Sequence, residues 1–302
     1  MLKIGIIGLG DIAHKAYLPV ISKRKVEVHL YTRNEATLSH VSELYRFKNI
    51  HQSLESLINS GIKGAFVHAP TTSHYAIVEK LLSHNIHVYV DKPLTYDYAS
   101  SEKLVALAER KNLILTVGFN RRYAPAYQKL KELQDPNMII MQKNRKSLPG
   151  DVRTFIFDDF IHVIDTLLFL FPYPIEKLIV TGKKKDNMLY HVVVQFVAAD
   201  GATAIGIMNR DSGTVEEKLE VFTSGEKRVV YNISDVVIHQ DKNETKLGAD
   251  DWDPMLHKRG FERIIEDFLQ SLESGTASQI SKSHTLLSHK ICDEVVQKLN
   301  GI

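Results

Sequence analysis

Cysteine is nearly absent. Of 302 residues only Cys292 carries a thiol, which excludes an internal disulfide and any zinc site built on several thiolates. Excess charge of one sign is missing as well: 38 Lys and Arg stand against 36 Asp and Glu, a formal net charge of +2. No broad field therefore recruits nucleic acid or an anionic membrane. The short run Lys183-Lys184-Lys185 lies between Gly182 and Asp186 and reads as a solvated turn. No apolar stretch reaches the roughly 20 residues of a membrane-spanning helix. Met1-Leu2-Lys3 leads directly into an apolar strand, without a secretory leader. A cytoplasmic protein is expected, with a small molecule as its partner, no nucleic acid and no membrane. Repeats and low-complexity segments are also lacking, and the length suffices for two domains.

What is present is alternation. Residues 4–7 read as a buried strand, 11–21 as a helix, 26–32 (VEVHLYT) as a strand and 34–46 as a polar helix. The theme repeats with a short helix at 54–58, strand 64–69 (GAFVHA), helix 74–84, strand 86–90 (IHVYV), helix 98–111 and strand 113–117 (LILTV). This rhythm predicts a parallel sheet with helices on both faces. Beyond Asn120 it changes. A very apolar helix near 160–171 precedes strands at 178–182, 190–198, 203–208, 219–223 and 228–231, with Asp200-Gly201, Ser212-Gly213 and Ser224-Gly225 suited to hairpin turns. Helices at 255–274 and 282–299 close the chain. The expected class is α/β: a Rossmann dinucleotide-binding domain at 1–119, then an α+β domain at 120–302 with a largely antiparallel open sheet.

Three small residues punctuate the first strand–helix join, GLGDIA. Gly8 suits the tight turn, Gly10 lets a diphosphate approach the backbone, and Ala13 lets the helix pack on the strand. The helix start at Asp11 and Ile12 presents free N–H groups to the anion. A second motif, Asp91-Lys92-Pro93, places a lysine at the carboxyl edge of a parallel strand, where open α/β sheets bind ligands. The third lies on the apolar helix: Asp158 and His162 are spaced i, i+4, with Asp165 one turn further on. A carboxylate beside a histidine satisfies a core imidazole; it also fixes the tautomer of a general base.

Taken together, GLGDIA, DKP, GFNRRYAP at 118–125 and D-x-x-x-H-x-x-D resemble the Gfo/Idh/MocA oxidoreductase family over essentially the whole chain, with HKAYLPV, FVHAPTTSHY and DDFIHVIDT most similar to its MviM-like branch. The resemblance implies that Lys92 touches both substrate hydroxyl and nicotinamide, and that Asp158 and His162 stand at the acidic and histidine positions of the second-domain motif. His162 is then the base that takes the hydroxyl proton, Asp158 orients it, and Lys92 stabilises alkoxide charge. Phe160 stands where the family pattern commonly has Gly, and a ring there is expected to narrow the pocket. The resemblance also implies a homodimer or larger homo-oligomer, paired through the open face of the second sheet.

The implied activity is transfer of a hydride between nicotinamide and a secondary hydroxyl or carbonyl of a sugar, polyol or related molecule. Two other readings stay open: a redox-neutral enzyme that retains its nicotinamide, as in the family's glycosidase branch, and a non-enzymatic NADP sensor. The expected cofactor contacts are Gly8, Gly10, Asp11, Ile12, Ala13, Thr32, Arg33, Asn34, Ala69, Pro70, Thr71, His74, Asp91 and Lys92. Asn120, Arg122, Lys143 and Asp165 are weaker substrate candidates. Arg121, Arg122, Lys143 and Arg145 suit either an acidic or phosphorylated substrate or internal salt bridges. At the end of the second strand, Thr32 occupies the slot where NAD-selective domains carry Asp or Glu, and Arg33 with Asn34 suits a 2′-phosphate. NADP is therefore expected over NAD; a shift of one residue would instead make Glu35 the acidic partner. No metal site is expected.

Overall fold

A computed structural model describes residues 1–248, 252–276, 278–280 and 282–301. The chain forms two compact units: Met1–Phe119 with Phe261–Leu286, and Asn120–Gly260 with the residues from Leu287 onward.

In the first unit, β1 (Leu2–Ile7), β2 (Val26–Tyr31), β3 (Asn49–His51), β4 (Gly64–Val67), β5 (His87–Val90) and β6 (Leu115–Val117) form one sheet in the order β3-β2-β1-β4-β5-β6. Every pairing is parallel. The order reverses between β1 and β4, which makes the carboxyl ends of these two strands the switch point where such sheets bind ligands. Their apolar runs follow from burial on both faces: Ile4, Ile6, Ala65, Phe66 and Val67 are fully buried. The short strand β3 has no expected counterpart in the sequence, since NIH offers too few residues for a period to show.

The α+β domain expected at 120–302 is not one continuous unit. The helix Phe261–Ser274 instead belongs to the first unit. Its stripe Ile264, Ile265, Phe268, Leu269 and Leu272 is buried. The ring of Phe268 meets that of Phe66 edge-on at 5.0 Å, and Leu272 fills the space over Gly64, where a Cβ would lie 2.6 Å from its Cδ1. A parallel sheet needs helices on both faces, and this later helix supplies part of one. The single helix expected at 255–274 is broken. Met255–Lys258 is separated from Phe261–Ser274 by Gly260, whose φ is +81°. A Cβ on Gly260 would lie 2.2 Å from the Asn120 carbonyl oxygen, so both conformation and space require glycine there.

The second unit is built on β7 (Met138–Asn144), β8 (Gly150–Asp151), β9 (Lys177–Lys185), β10 (Met188–Val197), β11 (Thr203–Asn209), β12 (Glu216–Phe222), β13 (Lys227–Tyr231), β14 (Asp235–Gln240) and β15 (Asn243–Leu247), in the order β15-β14-β13-β12-β7-β11-β10-β8 with β9 also on β10. Within this second sheet only β7 and β11 pair in parallel among the described strands. The Asp200-Gly201 turn does close the β10–β11 hairpin. Ser212-Gly213 does not close one, because β7 is inserted between β11 and β12 and pairs with both. One face of the sheet lies under the helix at 152–170. Gly206 of β11 makes room for it: a Cβ there would lie 2.8 Å from Val163 Cγ1 and 2.9 Å from Leu167 Cδ1.

Candidate active site

The nucleotide half is built at the switch point. Gly8 ends β1 with φ +85°, and its N–H donates to the Tyr31 carbonyl at 3.0 Å. A Cβ on Gly8 would sit 2.6 Å from the Ala69 nitrogen, whereas a Cβ on Gly10 would meet nothing within 4 Å. The first glycine is thus demanded by the turn, and the second leaves open space against the backbone. These residues border a cleft of about 880 Å³ lined by Gly8, Leu9, Gly10, Asp11 and Ile12, by Thr32, Arg33 and Asn34, and by His68, Ala69 and Pro70. A dinucleotide fits this set: an open glycine, a helix start and a polar strand end at the places where diphosphate and adenosine ribose bind.

Other expected contacts lie elsewhere. Ala13 is fully buried and packs the helix, inside a π-turn at Ala13–Tyr17. Thr71 does not line the cleft, although Thr72 and Ser73 do. His74 is turned inward, 1 % exposed, between the carbonyl oxygens of Pro93 (2.9 Å from Nδ1) and Ala69 (2.8 Å from Nε2). It ties the turn after β4 to the turn after β5 rather than facing the cleft. Asn34 lines the cleft and also caps its helix, Oδ1 accepting from the Thr37 N–H at 2.9 Å. Asp11 is the only carboxylate among the described lining residues, and Lys15 pairs with it at 2.8 Å.

Asp91 and Lys92 follow β5, and both are half-buried. The Tyr17 hydroxyl donates to Asp91 Oδ1 at 3.1 Å and lies 3.0 Å from the Tyr89 hydroxyl. Burial raises the Asp91 carboxyl above its usual range, while Lys92 and His74 oppose that shift. Gly118 keeps this knot intact, since a Cβ there would press on all three oxygens at 2.9 to 3.1 Å. The sequence reading missed Tyr17; its place four residues beyond Ala13, on the face that packs against the sheet, is the available signal.

In the second unit a π-turn, Phe155–Phe160, opens the helix that continues as Ile161–Leu170. Such turns shift the phase of the side chains. Asp159 is buried, while Asp158 and His162 are half-buried. Phe160 is fully buried in the core, so its ring is packing within this unit rather than the expected pocket-narrowing group. Lys143 donates to Asp159, joined by Arg145 at 3.2 Å and Arg210 at 3.2 Å. Burial works against the charged Asp159 carboxylate, but Lys143 and Arg145 hold it well below the usual range. Burial, with Arg121 nearby, pushes the Lys143 ammonium down to about 7 against the pull of Asp159 and Glu217.

The weaker substrate candidates are engaged inside the unit. Arg122 forms a two-pronged pair with Asp165, and Ser288 also donates to Asp165, at 2.9 Å. Arg121 pairs in the same way with Glu217 at 2.7 Å, and the Tyr127 hydroxyl donates to Glu217 at 2.7 Å. The Asn120 amide donates to the Arg259 carbonyl at 2.8 Å. Among the described residues no group of three or more His, Cys, Asp or Glu could hold a metal ion, and no helix is long and apolar enough to cross a membrane.

Residues 2–119 match the oxidoreductase family with an NAD-binding Rossmann fold named GFO_IDH_MocA, and residues 125–241 match the YceM-like C-terminal domain. The YceM protein of Salmonella typhimurium is 32% identical over 97% of this chain and 96% of its own. The chain belongs to the Gfo/Idh/MocA oxidoreductase family. A solved family member from Vibrio cholerae superposes with a TM-score of 0.94 at 31% identity, covering 100% of this chain and 99% of that one. The MviM dehydrogenase of Clostridium difficile gives 0.93 at 31% identity, covering 98% and 99%. A more distant relative, named myo-inositol 2-dehydrogenase in Thermotoga maritima, is 23% identical over 78% of this chain and 77% of its own.

Proposed function

We propose that the protein is a dehydrogenase or reductase that transfers a hydride between NADP, preferred over NAD, and a secondary hydroxyl or carbonyl of a neutral sugar, polyol or related molecule. The observation that carries this reading is the switch-point cleft, open at Gly10 and bordered at the end of β2 by Thr32, Arg33 and Asn34. An acidic residue at that strand end would accept from the adenosine ribose hydroxyls and repel a 2′-phosphate. Thr32 carries no charge, and the exposed Arg33 suits a charge-assisted contact to phosphate.

A bound nicotinamide supplies the hydride acceptor or donor. Lys92 hydrogen-bonds the substrate oxygen and stabilises alkoxide charge; His162 removes the hydroxyl proton in oxidation and returns it in reduction; Asp158 orients the imidazole. Arg121, Arg122, Lys143 and Arg145 each have an internal carboxylate, which favours a neutral substrate over a phosphorylated one. The name of the Thermotoga maritima relative agrees with a polyol. Val193, Ile205 and Ile207 are half-exposed on the sheet face opposite the helix, and this face is the proposed contact with a second copy.

Mass spectrometry of compounds retained after gentle purification, followed by a spectrophotometric screen of sugars, polyols and sugar acids with NADP and NAD, tests the reading. Net reduction of added NADP by a neutral polyol or sugar is expected. Retained cofactor without net turnover would replace it with the redox-neutral reading; cofactor binding without any reaction would point to a sensor.

A further inference from the structure

We propose that the second unit binds a small oxyanion, a carboxylate or an inorganic ion of the sulfate type, in a cavity bordered by Arg121, Lys143, Arg145 and Arg259. The cavity measures about 110 Å³ and lies wholly within that unit. Each of its buried cations has a carboxylate partner, but the carboxylates are shared. Asp159 takes Lys143, Arg145 and also Arg210, while Glu217 takes Arg121 and the Tyr127 hydroxyl. Positive charge is left over. Arg121 and Lys143 are only 7 % and 3 % exposed, so water screens that excess little. Arg259 adds to it: the side chain is exposed, its Nε donates to the Met255 Sδ at 3.3 Å, and it has no carboxylate partner among the described residues. Glu216, the other carboxylate on the cavity, opposes the excess and accepts from the Asn144 amide at 2.9 Å.

One wall is made of strained backbone. Asn232 and Ile233 line the cavity with φ of +48° and +73°, although a β-branched residue rarely adopts the left-handed conformation. Pairing with Glu217 holds the turn: the Asn232 N–H donates to the Glu217 carbonyl at 2.7 Å, and Asn232 Oδ1 accepts from the Glu217 N–H at 3.3 Å. The amide nitrogen of Asn232 is left as a donor for an anion. Strain of this kind persists where surrounding structure over-determines it, and ligand clamps are one such place. Lys143 registers the surplus charge. Burial, then Arg121 and Arg145, lowers its ammonium to about 7 against the pull of Asp159 and Glu217. An anion in the cavity favours the charged form, so binding above neutral pH draws a proton from solution. The inference stands apart from the proposed hydride transfer, whose substrate is neutral.

Isothermal titration with sodium sulfate and with sodium acetate, each against sodium chloride at matched ionic strength, tests this in two buffers of different ionisation enthalpy. Saturable binding of at least one of the oxyanions is expected, one per chain. At about pH 8 it should take up protons, and the uptake should fade by about pH 6, where Lys143 is already charged. Binding of acetate alone points to an organic acid as the occupant, and binding of sulfate alone to an inorganic ion. Arg259→Gln changes an exposed side chain and should weaken the bound oxyanion about tenfold, as expected for one lost charge-assisted contact. Lys143→Met should bind without the proton uptake; if that variant does not fold, Arg259→Gln carries the test. Heats no larger than those for chloride with both oxyanions, or an affinity unaltered by Arg259→Gln, overturns the site.

Discussion

Arg122 and Asp165 face each other as a two-pronged ion pair, Nε to Oδ2 at 2.8 Å and Nη2 to Oδ1 at 2.7 Å, with side chains only 7 % and 2 % exposed. Both were substrate candidates on motif position. The pairing makes them a structural element, because removing one partner leaves the other charge buried and unmatched. Asp165→Asn should therefore destabilise the protein by about 3–5 kcal/mol, measured by urea unfolding. Wild-type stability in that variant would mean that the pair is not closed in solution.

Lys92→Ala and His162→Ala should each abolish most turnover on the identified substrate while leaving NADPH affinity within a few-fold, because the diphosphate loop lies at Gly8 and Gly10. Asp158→Asn should lower kcat with little change in melting temperature, reporting lost orientation of the imidazole. Near-normal kcat in His162→Ala would remove it as the base.

Arg33→Ala should weaken NADPH about tenfold and leave NADH nearly unchanged, since one charge-assisted contact to phosphate is removed. Thr32→Asp should go further and reverse the preference by repelling the 2′-phosphate. Calorimetric titration of both reduced cofactors measures this, and tighter NADH binding by the unmodified protein would discard the assignment.

Lys143 gives stability a pH dependence of definite sign. Its ammonium is held near 7, against about 10.4 in an unfolded chain. The cationic form is the costly one in the fold, because burial strips the ammonium of water and Arg121 and Arg145 share its surroundings, while Asp159 is divided among Lys143, Arg145 and Arg210. Between those two values the unfolded state binds the extra proton, so this group makes stability rise with pH across the window. Urea unfolding at neutral and mildly alkaline pH should show a steeper rise for wild type than for Lys143→Met; parallel profiles would contradict the shift.

Local chemistry was enough to read GLGDIA, DKP and the strand–helix rhythm, because a tight turn needs glycine at Gly8 and a two-face-buried strand needs the apolar run before it. The alternation in β10 to β12 was legible as well, each of these strands having one buried face. Partners distant in sequence were not. That Phe261–Ser274 returns to the first unit follows from the groove above Gly64 that Leu272 fills, and no period in that helix names its receptor. The insertion of β7 between β11 and β12 removed a hairpin that Ser212-Gly213 alone suggests. The π-turns at Ala13–Tyr17 and Phe155–Phe160 lie in the two motif helices, and the second places Asp159, not the motif residue Asp158, on Lys143. Hydrophobic periodicity records how much of a side chain is buried. Which residue it meets, as Tyr17 meets His68, is decided only when elements far apart in the chain are packed together.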